Sequence, residues 1–227
     1  SSPRPRMLKA DPKTELCFGC HKTIKKTVQD SPRPHKAIAV AGCPACHNPH
    51  ASDHAPLLKS SMGKACVACH EGKRAELNSR FLHGPVKMEQ CQGCHSPHGG
   101  SNPAIQKAYF PPSFYNSYKN NLYKLCFNCH EKDIAERPRT TTLTNFRDGD
   151  RNLHYLHVHS TKGRSCKACH EVHGGNQEKH IRKQSAFGSW MLPIEFTKTL
   201  TGGGCTTGCH GAKKYDRVKP LVSSEIQ

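Results

Sequence analysis

The sequence predicts a mainly irregular and α-helical fold: a loop-rich chain with short helices and almost no sheet. Two observations carry this expectation. Only 34% of the 227 residues are hydrophobic and 7% are aromatic, too few for a conventional core at this length. The fourteen cysteines all fall in seven close pairs strung along the chain, between turn-forming Gly and Pro residues.

Six pairs read C-x-x-C-H: Cys17/Cys20/His21, Cys43/Cys46/His47, Cys66/Cys69/His70, Cys91/Cys94/His95, Cys126/Cys129/His130 and Cys166/Cys169/His170. The seventh, Cys205/Cys209/His210, is one residue longer. C-x-x-C-H is the attachment signature of c-type haem. Residues i, i+3 and i+4 share one helical face. Two thiols there can add to the two haem vinyl groups, and the histidine ligates iron from the same side. Zinc sites also use C-x-x-C, but they do not require a histidine after each second cysteine. Disulfides inside each motif would staple almost nothing. Seven covalently attached haems c are therefore expected, with the chain wrapped around a multihaem array that supplies the missing apolar interior. In the seventh motif the extra residue breaks helical registry, and Gly208 eases the resulting bulge. Whether Cys205 and Cys209 both form thioethers stays open.

Short helices are expected around the motifs, for example over 65–77 and 118–136. The motifs pair into three repeated units. In each, the second motif is followed three residues on by another histidine: His47/His50, His95/His98 and His170/His173. A histidine also precedes each second motif. His35 and His83 stand eight residues before their cysteine, and His157 matches His83 in its leading leucine. The expected divisions are an N-terminal arm (1–14), dihaem unit one (15–62), unit two (63–100), a connector (101–119), unit three with a Thr-rich insertion (120–176), a single-haem segment (177–219) and a tail (220–227). The run 190–200 could be a strand or a packing arm.

The alternation of C-x-x-C-H with His83-Gly84-Pro85-Val86 and with CHNPH and CHSPH-Gly-Gly resembles the doubled CXXCH family of multihaem cytochromes c. The resemblance covers about residues 15–175. It weakens at the insertion and at the His154/His157/His159 cluster, and most at the last motif. It implies periplasmic or cell-surface electron transfer and does not identify the partner.

Six-coordinate iron needs a second axial ligand. The seven motif histidines leave ten others. The repeat assigns His35, His50, His83, His98, His157 and His173 as distal ligands. His154 is the seventh candidate, with His159 in reserve. His54 and His180 read as surface histidines, and Met7, Met62, Met88 and Met191 as packing residues. Saturated iron offers no substrate position, so no catalytic residue is assigned and the chain is not expected to be an enzyme. Electron transfer along closely spaced, low-potential, bis-histidine haems is the expected function. The setting stays open between a periplasmic shuttle, a subunit of an electron-transfer complex and the protomer of an extracellular filament. A multihaem reductase with an open haem at 205–210 is the remaining alternative.

The formal charge of +17 resembles a nucleic-acid signature. Fourteen propionates and the ferric charges would bring it to about +10 oxidised and about +3 reduced, which removes the case for nucleic acid. Redox proteins are the expected partners, with self-association or membrane-complex subunits possible. No stretch approaches a transmembrane span. Haem c is attached outside the cytoplasm, so an exported chain is expected, periplasmic or extracellular, its signal peptide absent from this mature sequence.

Overall fold

The computed structural model describes residues 8–221. The first half of the expected N-terminal arm, with Met7, and the tail from residue 222 lie outside the described residues. Among the described residues no helix is long and apolar enough to cross a membrane.

The helices are short and most belong to motifs. Four leading cysteines lie in α1 (Glu15–Phe18), α2 (Met62–Val67), α3 (Lys124–Phe127) and α4 (Cys166–Cys169). The other two regular motifs open 3-10 turns at Cys43–Ala45 and Cys91–Gly93. In all six the histidine amide donates to the carbonyl of the first cysteine, at 2.9–3.0 Å. That single α-turn places i, i+3 and i+4 together. The helices expected over 65–77 and 118–136 are broken. His70, at φ −93° and ψ 56°, leaves helical geometry, and separate short turns follow at Glu71–Lys73 and Arg74–Leu77. The second stretch keeps only α3 and Asp133–Glu136.

The chain forms two compact units. The first holds the described residues through Leu77 together with Gly84–Tyr109. Its buried apolar residues are few, among them Phe18, Leu58 and Ala108. The second holds Asn78–His83 and the described residues from Phe110 onward. Its core gathers Phe110, Tyr123, Ala135 and Val158, with Tyr118, Leu122, Leu125, Phe127 and Ile134 packed around them. Cys126 and Cys166 join this cluster, so the second unit's apolar core continues directly into two motifs.

The expectation of almost no sheet is overturned in the second unit. Strands β1 (Gln184–Phe187), β2 (Trp190–Lys198), β3 (Gly202–Thr207) and β4 (His210–Asp216) form an antiparallel sheet in the order β4-β3-β2-β1. Three two-stranded pairings add to it: Phe81–Leu82 with Gly174–Gly175, Tyr115–Asn116 with Gly163–Arg164, and Arg147–Asp148 with Arg151–Asn152. The run Gly202-Gly203-Gly204 reads as loop because glycine is depleted in strands. Here it permits close backbone approach: a Cβ on Gly203 would stand 2.6 Å from the Thr197 carbonyl oxygen.

Candidate haem sites

The seventh motif occupies the β3–β4 hairpin. Cys205 sits in β3 opposite Phe196, and His210 opens β4, where the register shifts before Lys213. The Cys209 amide donates to Thr207 Oγ1 at 3.2 Å. The bulge expected from the longer spacing is thus absorbed by a β-turn, whereas the other six motifs use helical turns.

Four motif histidines each face a histidine from outside the motifs. The pairs are His70 with His35, His47 with His98, His130 with His83, and His170 with His154. Ring centres are 6.0–6.3 Å apart and ring planes lie within 12–20° of parallel. Imidazole–metal bonds of about 2.0 Å on opposite sides of one ion put the ring centres roughly 6 Å apart. The residues therefore fit a six-coordinate haem iron, each pair having a C-x-x-C beside one member. Burial lowers the pKa of His83, His98, His157 and His170, and holds His154 at about 3, with His170 adding to the effect there. A neutral ring is the metal-binding form of imidazole. His157 also feels His210 and donates Nδ1–H to the Leu153 carbonyl at 2.7 Å.

The remaining predicted positions divide differently. Among the described residues, no ring pairing with a motif histidine marks His50. His159 is sandwiched between Tyr118 (4.5 Å) and Tyr155 (4.6 Å), with Nδ1 bonded to the Ala135 carbonyl. His180 meets His83 edge-on at 5.9 Å and 76°. The hydrogen bonds of His54 run through its backbone, to Ser52 and Leu58.

The thiols bring motifs together. The first cysteines of each doubled unit lie within hydrogen-bonding reach of one another: Cys17 with Cys43, Cys66 with Cys91, and Cys126 with Cys166. The last contact, more than burial, pushes Cys166 up and pulls Cys126 down. Cys66 also senses Cys46, and Cys169 senses Cys205 and Cys209. Neighbouring motifs are therefore in electrostatic contact along each unit.

Cys20, Cys69 and Cys129, from the first motif of each doubled unit, are exposed, whereas Cys46, Cys94 and Cys169 from the second motifs are half-buried. The reason is local. Cys20, Cys69 and Cys129 each come directly after the residue that ends a short helix: Gly19 for α1, Ala68 for α2 and Asn128 for α3. Their amides still donate to the first cysteine's carbonyl, at 3.1–3.3 Å, so the motif turn is kept. Cys209 is exposed as well, in the hairpin turn.

Sequence reasoning missed a set of positioning groups. Asn152 is 1% exposed and caps the helix α5 (Leu153–Val158), accepting from the amides of His154 and Tyr155. Its Nδ2 donates to the carbonyls of Ile134 and Arg137 at 2.9 and 2.8 Å. Every hydrogen-bonding atom of the side-chain amide is thereby used, and the helix carrying His154 and His157 has a fixed start. An Asn directly before the Leu-His run is the signal that could have found it.

Repeated C-x-x-C-H turns, each presenting a histidine, with further histidines facing four of them across the spacing of one metal ion, define a multihaem c-type cytochrome, an electron-transfer protein with covalently bound haem c. The doubled CXXCH motif family matches residues 35–75 and 83–135. The multiheme cytochrome MtrA of Shewanella baltica (strain OS185) is 32% identical over 208 residues, which are 89% of this chain. The chain spans 57% of that relative's length. The two matched stretches open on His35 and His83 and contain their facing partners His70 and His130. The family's frame thus runs from a non-motif histidine to the motif histidine it faces, one motif out of phase with the units read from the sequence.

Proposed function

We propose that the chain is a seven-haem electron conduit with bis-histidine iron throughout. The observation that carries this reading is the set of four facing histidine pairs. Bound haem supplies a one-electron ferric/ferrous couple. The chain's own residues hold each iron six-coordinate, exclude substrate from it, and fix neighbouring motifs against one another. His35, His98, His83 and His154 would hold iron together with His70, His47, His130 and His170. His157 serves His210, which lies near enough to add to the effect of burial in lowering the His157 pKa. His50 and His173 remain the repeat's candidates for the other two irons. His159, with both ring faces covered, is a packing residue. Cys20, Cys69 and Cys129 are thioether positions like Cys46, Cys94 and Cys169, because the motif turn keeps each beside its first cysteine and histidine. The contacts between first cysteines support close haem spacing. Redox proteins are the partners, and the protein works outside the cytoplasm, where haem c is attached.

The test is spectroscopic. Oxidised wild type should show only low-spin haem and no shift with cyanide or CO. His154→Ala should convert one haem to a cyanide-binding, high-spin form, whereas His159→Ala should leave the spectrum unchanged. A high-spin haem in the wild type would favour an open catalytic site. A His154→Ala spectrum identical to wild type would remove His154 as a ligand.

A further inference from the structure

The second motif of every doubled unit is followed by the same backbone device. His47, His95 and His170 bond through Nδ1 to a carbonyl nine residues downstream: Pro56 at 2.9 Å, Ala104 at 3.0 Å and Lys179 at 2.9 Å. The amide after each histidine donates one residue further on: Asn48 to Leu57, Ser96 to Ile105 and Glu171 to His180, at 2.7–2.8 Å. Lys59, Lys107 and Arg182 then close the segment by donating to the carbonyls of Cys46, Cys94 and Cys169. The turn that aims the carbonyl uses left-handed, non-glycine backbone each time. Leu57 has φ +60°, Ala104 and Ile105 have +52° and +49°, and Lys179 and His180 both have +57°. Non-glycine residues visit this region rarely, and they do so where the surrounding structure demands it.

The first motifs are built otherwise. Among the described residues no protein group hydrogen-bonds the rings of His21, His70 or His130. His35, which faces His70, has no such partner either.

A carbonyl accepting the Nδ1 proton fixes the tautomer and ring orientation and raises the basicity of Nε2. A stronger donor favours ferric over ferrous iron and lowers the potential. We propose that the segments 48–58, 96–106 and 171–181 are potential-setting clips, which hold the second iron of each doubled unit below the first. The potentials then alternate along the chain. This inference rests on reading the motifs as haem sites. Burial acts on His154–His170 in the opposite sense, because excluding water disfavours the more highly charged ferric state. Residues 66–98 therefore give the cleanest comparison, His70 against His95.

The experiment uses the holoprotein, with an intact mass taken first so that a missing haem is separated from a wrong potential. NMR-monitored redox titration with assigned haem methyls reads each iron. The iron of His95 should be oxidised about tenfold more readily than that of His70, about 59 mV for a one-electron couple. In D2O the Nδ1 protons of His47, His95 and His170 should exchange slowly, and those of His21, His70 and His130 rapidly. Proline cannot adopt positive φ, so Ala104→Pro must move the carbonyl and raise the His95 iron while the others stay. Ala104→Gly keeps the carbonyl and should keep the potential. Equal or reversed potentials for His70 and His95 in the wild type, or rapid exchange at His95, overturns the proposal whether or not Ala104→Pro folds.

Discussion

At the scale of single residues, position within a helix separates histidines that the sequence ranks only by local text. His154, His157 and His159 lie within six residues, and spacing alone favours none of them. Asn152 begins α5 two residues before His154, so the histidines at 154 and 157 follow one short helix while His159 falls at its end between two tyrosines. The Asn152 side chain accepts two amides and donates to two carbonyls in a buried site, and losing it would strand all four groups. Asn152→Ala should destabilise the second unit by on the order of 2 kcal/mol, read as a lowered thermal midpoint. The cysteines and motif histidines were legible because their chemistry requires particular side chains. Their exposure was not: the spacing treats Cys20 and Cys46 alike, and only the end of α1 leaves the first of them open. The acceptors at Pro56, Ala104 and Lys179 were also hidden, because a backbone carbonyl belongs to every residue type.

At the scale of elements, the sequence shows the helical turns of the motifs but hides the sheet. Each C-x-x-C-H specifies its own turn through spacing. The β1–β4 sheet depends on pairing between segments: the run 190–200 could be read as a strand, but its partners could not. The sheet's far end is tied by carboxylates. Asp216 accepts from the amides of Lys219 and Val218 and from the Thr201 hydroxyl at 2.6 Å, and these bonds hold its pKa at about 2. Asp148 accepts from the amides of Asp216 and Leu221. A depressed carboxylate stabilises the fold fully above its unfolded pKa of about 3.9 and loses that contribution as pH falls through about 2. The thermal midpoint of wild type relative to Asp216→Asn should therefore be constant from neutral pH down to about 4 and shrink toward zero near 2. A difference that grows on acidification would contradict the assignment.

At the scale of the whole molecule, composition and architecture agree. Several large apolar side chains stay exposed next to motif cysteines or histidines, among them Leu16, Met88 and Val172. Covalently bound haem supplies apolar surface that these side chains can cover, so folding and haem attachment should be coupled. The repeat was legible as a period, and its units bring the first cysteines together. Sequence places the boundaries around consecutive motifs, whereas the family frame and the His35–His70 and His83–His130 pairs cross them. Ligand pairing across motifs is a three-dimensional relation, and spacing along the chain cannot fix it.

The central claim is that all seven motifs hold haem, including the one carried on a hairpin. The intact mass of the purified holoprotein, measured with and without thiol alkylation, tests it directly. The account predicts the polypeptide plus seven haems. Six haems, with both Cys205 and Cys209 alkylated, would contradict it.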